Sequence, residues 1–265
     1  MNDRESARRY TIAISKGSAL IDEMKRLLRA WEPGEPVGEF CDRVISEDIL
    51  GKSSARRSQD IARRVFANRF LLPTDAPARR LRLLLEADLS PHAVADLCML
   101  YSARNDLLLR DAVTKVYWPG LNEGRLSLTV DDFVRFIRQA DAEGLIPVPW
   151  SDEVAKKIAR ALVKSLVEYG LLREAAKGRR ETVPYRAAPE ALVYLAYDLR
   201  SSGLSDQAIL DHRDWMLYGF DRSRLVTELA SSDYGQWWLL QIAGSVARFS
   251  WKQESVDEVV DVLAE

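Results

Sequence analysis

The stretch "DILGKSSARRSQDIARRVF", Asp48 to Phe66, sets a glycine, a lysine and two serines ahead of four arginines. Gly51-Lys52-Ser53-Ser54 has the ending of a phosphate-binding loop. In such a loop backbone amides wrap nucleotide phosphates, the lysine neutralises them and the hydroxyl holds magnesium. The loop needs another glycine five residues ahead of the one beside the lysine, entered from a buried strand. Ser46 stands at that place, and "FCDRVISEDIL" before the loop has helical spacing. The nucleotide cradle is excluded.

The same residues suit a different phosphate. At 100° per residue, Ser58, Ile61, Ala62, Val65 and Phe66 share one face of a helix, and Arg56, Arg57, Arg63 and Arg64 occupy the opposite arc. Lys52 and Ser53 sit at its leading end. Free amides, hydroxyls and guanidinium forks arranged in this way can meet the backbone of double-stranded DNA. The alternative is a solvated face whose arginines pair with acids of the protein itself, such as Asp60 or Glu47.

A second candidate lies between Thr129 and Ala187. Thr129 can cap "VDDFVRFIRQADAEG", and after "LIPVPW" Ser151 can cap a long helix, Asp152 to Tyr169, that Gly170 stops. "LLRE", the turn-prone "AAKGRR" and "ETVPYR" then predict two short strands joined by a basic loop. Helix, connection, long helix and two-stranded wing is the order of a winged helix. Lys156, Arg160 and Lys164 recur at every fourth residue, opposite Val154, Ile158, Leu162 and Leu166. Lys177, Arg179 and Arg180 fall at the wing tip, within reach of a groove or a phosphate. The connection before the long helix is long for a helix-turn-helix and holds two prolines. An amphipathic helix with a solvated face is again the competing reading.

Other chemistry finds no support. His92 and His212 are the only histidines, and neither has a Cys or His at ligand spacing, so no metal site is expected. No serine or cysteine pairs with them as a nucleophile, and no glycine-rich cofactor turn occurs. The expectation is a protein without catalysis and without a cofactor. Asp131/Asp132 and Asp152/Glu153 stand at helix starts, where they compensate the helix dipole. Cys41 and Cys98 read as two buried free thiols in a reducing cytoplasm. Trp215, Trp237, Trp238 and Trp251 read as core or interface anchors.

The elements that must position these residues are nearly all helical. Of 265 residues 47% are apolar and 29% charged, the balance of a globular chain with a sizeable core. No apolar run approaches the roughly 20 residues of a membrane span, and the N-terminus lacks the apolar segment of a secretory signal. Residues 1–82 hold 17 Lys and Arg against 12 Asp and Glu, whereas the remainder holds 21 against 28. The basic part is compatible with an anionic partner. Helices are predicted from Ser18 to Trp31, Val37 to Leu50, Ser53 or Ser54 to about Leu72, Pro77 to Ala87, Pro91 onward behind a Ser90 cap, and Asn105 to Tyr117, closed by "WPG". Pro189 opens another, and "WWLLQIAGSVARFSW" predicts a hairpin before a short helix from Ser255. The fold class expected is mainly α, with a helical bundle over 1–125 and a winged-helix-like part with a few short strands over 126–265.

A family resemblance follows from the quoted residues. "YTIAISKGSALIDEMKRLLRAW", "VISEDILGKSSARRSQDIARRVFANRF" and "LLLRDAVTKVYWPG", then "WSDEVAKKIARALVKSLVEYGLL" and "ARFSWK", resemble in pattern and order the BrxA family of BREX phage-defence systems. The resemblance runs from about Tyr10 to Leu263 and is most specific in the N-terminal block. It implies a non-enzymatic, mostly helical protein that binds double-stranded DNA, with an N-terminal portion similar to the NusB antitermination factor; a cytoplasmic location is expected from the residues themselves. It also implies action beside a methyltransferase, an ATPase and a phosphatase-like protein. Members have often carried an inner-membrane label, which the hydropathy of this chain contradicts. Among the DNA-contact candidates only the Gly51–Arg64 block coincides with a family-typical segment. The competing function is a protein–protein scaffold of the same system, with the aromatic C-terminus as its docking element.

Overall fold

Local side chains start most of the helices. Ser54 accepts the Arg57 amide at 3.3 Å, Asp106 that of Leu109 at 3.2 Å, Ser151 that of Val154 at 3.3 Å, and Ser255 that of Glu258 at 3.2 Å. Each bond satisfies one of the amides that a helix start leaves open. The computed structural model describes residues 9–176, 179–244 and 246–265. Over them the chain is mainly α-helical, with two small antiparallel hairpins.

The chain divides into two compact units. The first comprises residues up to Arg79 together with Cys98–Tyr185. It holds α1 (Ile21–Ala30), α2 (Val37–Ser46) and α3 (Ala55–Gln59), which continues as a π-helix, Asp60–Leu71. The second comprises Arg80–Leu97 and Arg186–Glu265. α4 (Ala76–Glu86) and α5 (Pro91–Asn105) each contribute residues to both units. The expected boundary after residue 125 falls inside the first unit.

In the first unit α6 (Leu107–Ala112) widens into a π-helical turn, Val113–Tyr117, and then runs on as α7 (Trp118–Asn122). The expected stop at "WPG" is therefore wrong. Pro119 lies in the first turn of a renewed helical segment, where its missing amide is not needed. Phe40, Phe66, Phe70 and Tyr101 form a chain of tilted rings 5.4, 5.5 and 5.7 Å apart through the core. α8 (Val130–Ala142) packs on α9 (Asp152–Glu168), which in turn packs on β1 (Leu172–Glu174). β1 pairs with β2 (Arg180–Thr182) in antiparallel register, Arg173 opposite Glu181 and Glu174 opposite Arg180. The residues before α8 join this hairpin: Ser127 bridges Glu181, the Leu128 amide donates to the Arg180 carbonyl at 3.1 Å, and the Thr182 amide to that of Leu126 at 3.1 Å.

In the second unit α10 (Pro189–Ser201) is buried along most of its length. α11 (Asp206–Leu210) and α12 (Arg222–Leu229) precede the hairpin of β3 (Trp238–Ala243) and β4 (Val246–Trp251), and α13 (Val256–Leu263) closes the chain. The Tyr234 and Trp238 rings stack 5.3 Å apart, and the Tyr197 ring meets that of Trp251 edge-on at 4.7 Å. Trp215, Trp237 and Trp238 are buried and Trp251 is half-buried, as core anchors should be. Cys41 and Cys98 are buried free thiols. Among the described residues no helix is long and apolar enough to cross a membrane, and no acid, His and Cys cluster could hold a metal ion.

Candidate nucleic-acid interface

Gly51 turns the chain between α2 and α3 with φ of 59°, a left-handed conformation that glycine adopts without steric cost. This accounts for the glycine without any phosphate. Lys52 Nζ meets Glu23 Oε1 at 2.5 Å. Burial alone would raise the Glu23 carboxyl, but the Lys52 hydrogen bond, with the positive charges of Lys52 and Lys164, holds it below the ordinary carboxylate range. Ser54, not Ser53, caps α3, and Ser53 is exposed.

The helix that follows separates its two faces as the spacing requires. Ser58, Ile61, Ala62, Val65 and Phe66 are all buried. The π-helical widening from Asp60 leaves that face intact. Arg56, Arg63 and Arg64 are exposed and Arg57 is half-buried. Most of these cations already have partners. Arg63 Nη2 lies 2.7 Å from Asp42, Arg64 Nε lies 3.2 Å from Asp60, and Arg57 donates to the Lys16 carbonyl. Arg56 has no side-chain partner among the described residues. Arg69 continues the basic series in sequence yet is buried. It donates to the carbonyls of Ala19, Gly17 and Ser18 at 2.9, 3.0 and 3.0 Å.

α9 presents the opposite balance. Ile158, Leu162 and Leu166 are fully buried against the unit, whereas Val154, expected beside them, is 37% exposed in the first turn. Lys156, Lys157, Arg160 and Lys164 are exposed on the other side. Lys164 reaches Glu168 at 3.6 Å. Lys156, Lys157 and Arg160 have no side-chain partner among the described residues. A count of every fourth residue from Lys156 misses Lys157, although it lies three before Arg160 on the same stripe.

The hairpin sorts its cations. Arg180 lies in β2 rather than in the turn and pairs across the strands with Glu174 at 2.8 Å, as Arg173 does with Glu181 at 2.9 Å. Such cross-strand pairs hold the register. Arg179 is exposed and its side chain has no partner among the described residues. Lys177 lies outside the described residues. α9 and the hairpin face each other over a cleft of about 640 Å³, and Arg160, Lys164, Arg179 and Arg180 all line it. Four of the residues singled out from spacing thus converge on one surface. Arg138 fixes the long connection before α9 by donating to the Trp150 carbonyl at 2.7 Å and to Asp152.

Comparisons with known proteins bear on the whole arrangement. A protein-family model described as BrxA matches residues 8–197. Among solved structures, an uncharacterized protein from Magnetospirillum magneticum is similar with a TM-score of 0.58 at 22% identity, over 73% of this chain and 95% of that one. At that identity the likeness concerns the fold alone. No curated protein matches.

Proposed function

Because this chain belongs to the BrxA family, and so to the components of BREX phage-defence systems, we propose that it binds double-stranded DNA without catalysing a reaction on it. One observation carries the reading: α9 exposes Lys156, Lys157 and Arg160 with no acid engaged by them among the described residues, beside a hairpin that exposes Arg179. Unpaired cations gain from a phosphate what paired ones have already gained at home. The element order supports it further. α8, α9 and the β1–β2 hairpin, with residues 126–128 added along β2, follow the layout of a winged helix in which α9 would be the recognition helix. The basic series around α3 is a weaker part of the site, since Arg63 and Arg64 sit in exposed ion pairs that a phosphate must displace. Lys52, Ser53, Arg56 and Arg57 flank it. The stripe on α9 is Lys and Arg, and the helix has no Asn or Gln for an adenine edge; the contacts are expected to be mainly to phosphates and indifferent to sequence. In the BREX setting the partners would be the methyltransferase, the ATPase and the phosphatase-like protein.

The test is equilibrium binding of the full chain to two duplexes of unrelated sequence over a series of salt concentrations. Equal affinities with a log–log slope of several units support the reading, about 0.9 per phosphate contact. Absence of binding at low salt would remove it. A scaffold role is the second reading, favoured by the exposure of Leu239, Ile242 and Val246 on the β3–β4 hairpin, at 56%, 48% and 64%. It gains if duplex binding is absent and a purified BREX component binds the chain.

A further inference from the structure

The cleft between α9 and the hairpin has properties that phosphate contact along a duplex does not need. Its volume, about 640 Å³, lies within the roughly 300–1,000 Å³ of small-molecule pockets. Its walls are aliphatic: Leu128 and Val163 are buried, and Val130 and Val167 half-buried, all four lining the cavity. A phosphate running past on a groove-bound strand needs no such walls, and water in contact with them is unfavourable.

The charges around these walls are sorted as well. The carboxylates that line the cleft are engaged: Glu168 accepts the Leu20 amide at 2.6 Å, and Glu174 holds Arg180 at 2.8 Å. Arg160 and Arg179 line the same cavity with no acid of their own among the described residues. Two guanidinium forks therefore face an apolar pocket from a helix and from a hairpin. Guanidinium groups bind phosphate oxygens in pairs and also stack on flat rings, whereas aliphatic walls accept a ring and give no hydrogen bond to its edge. The ligand that satisfies both is an anion joined to a flat, weakly polar body.

We propose that the cleft receives one nucleotide unit, its phosphate held by Arg160 and Arg179 and its base laid against Leu128, Val130, Val163 and Val167. That chemistry has two sources. One is a free mononucleotide, which would make the cleft a regulatory site that competes with DNA for Arg160. The other is an unpaired nucleotide of a DNA strand, such as an overhang, which would give the protein a preference for duplex ends or openings. The second source rests on the duplex-binding reading above; the first does not.

The experiment uses the full chain at low salt in isothermal titration. The probes are deoxyadenosine monophosphate, a blunt duplex, and the same duplex with a short 3′ overhang. Val167→Trp fills the half-buried side of the cleft, and Arg179→Ala removes an exposed charge that the fold does not use. Saturable 1:1 binding of the mononucleotide, weakened about tenfold by both substitutions, establishes the free-nucleotide source. No mononucleotide binding, but a duplex with an overhang held about tenfold more tightly than the blunt one and a gain lost in both variants, establishes the strand source. If neither probe shows a gain, or the gain is untouched by the substitutions, the proposal is overturned. Should Val167→Trp fail to fold, Arg179→Ala decides alone. Mononucleotide binding without any blunt-duplex binding would retain the cleft and reject the duplex reading.

Discussion

Arg125 donates to Oδ1 of Asp132 across the turn that leads into α8, while Oδ2 of the same carboxylate accepts the Thr129 amide at 2.7 Å. Asp132 is at once the third residue of a capping box and the acid that holds Arg125. The chain between the two residues is the segment that pairs with β2, so this contact anchors the hairpin side of the candidate site to the start of α8.

The contact makes stability depend on acid. Burial alone would raise the Asp132 carboxyl, but hydrogen bonds from Arg125 and Thr129 outweigh it and hold the pKa at about 2, below the ordinary 3.8. A folded pKa below the unfolded one stabilises fully above about pH 4, and the contribution fades as pH falls toward about 2. Asp132→Asn should cost about 2 kcal/mol at neutral pH. In acid titrations of unfolding the gap between the variant and the parent should close over that window. A gap that is constant with pH would contradict the assignment.

Lys52 should act as a partner of Glu23 and not as a nucleotide ligand. Lys52→Ala is expected to lower stability by about 1 kcal/mol, since the pair is less than a third exposed. ATP should not shift the melting temperature of either protein. An ATP-dependent rise in the parent that vanishes in the variant would restore the cradle.

Gly51→Ala should cost about 1 kcal/mol, because a Cβ is strained at φ of 59°, while the space around that position is open. Gly51→Asn should cost less, as asparagine tolerates the left-handed region. Denaturant midpoints with unchanged slopes would check both. Equal costs for the two would point to lost space rather than backbone geometry.

Arg69→Met removes the donors to three carbonyls and leaves those oxygens buried, so a loss of about 2–4 kcal/mol is expected. Its salt dependence of DNA binding should equal that of the parent. A change in the slope without a change in stability would show that Arg69 faces the DNA.

These expectations separate what local chemistry writes into a sequence from what it does not. Caps at Ser54, Thr129, Ser151 and Ser255 are legible because donor and acceptor lie within three residues. The π-helical turns are not, since i→i+5 bonding has no side-chain signature within a few residues, and the helix after Tyr117 passes through Pro119. Arg64 and Arg69 look alike in sequence; carbonyls some fifty residues away decide that Arg69 is buried. The Arg64–Asp60 pair is readable from its i,i+4 spacing, but Arg63–Asp42 joins separate helices. Arg160, Lys164 and the hairpin arginines could be named from spacing, whereas the aliphatic cleft between them is a product of packing.

The most direct measurement compares the salt dependence of duplex binding in the parent with that of Lys156→Ala/Lys157→Ala/Arg160→Ala. All three side chains are exposed and unengaged among the described residues, so the melting temperature should hold. If α9 lies against the phosphate backbone, the log–log slope flattens by roughly two to three units, equally for every duplex tested. A folded triple variant with the parent's slope and affinity would contradict the account.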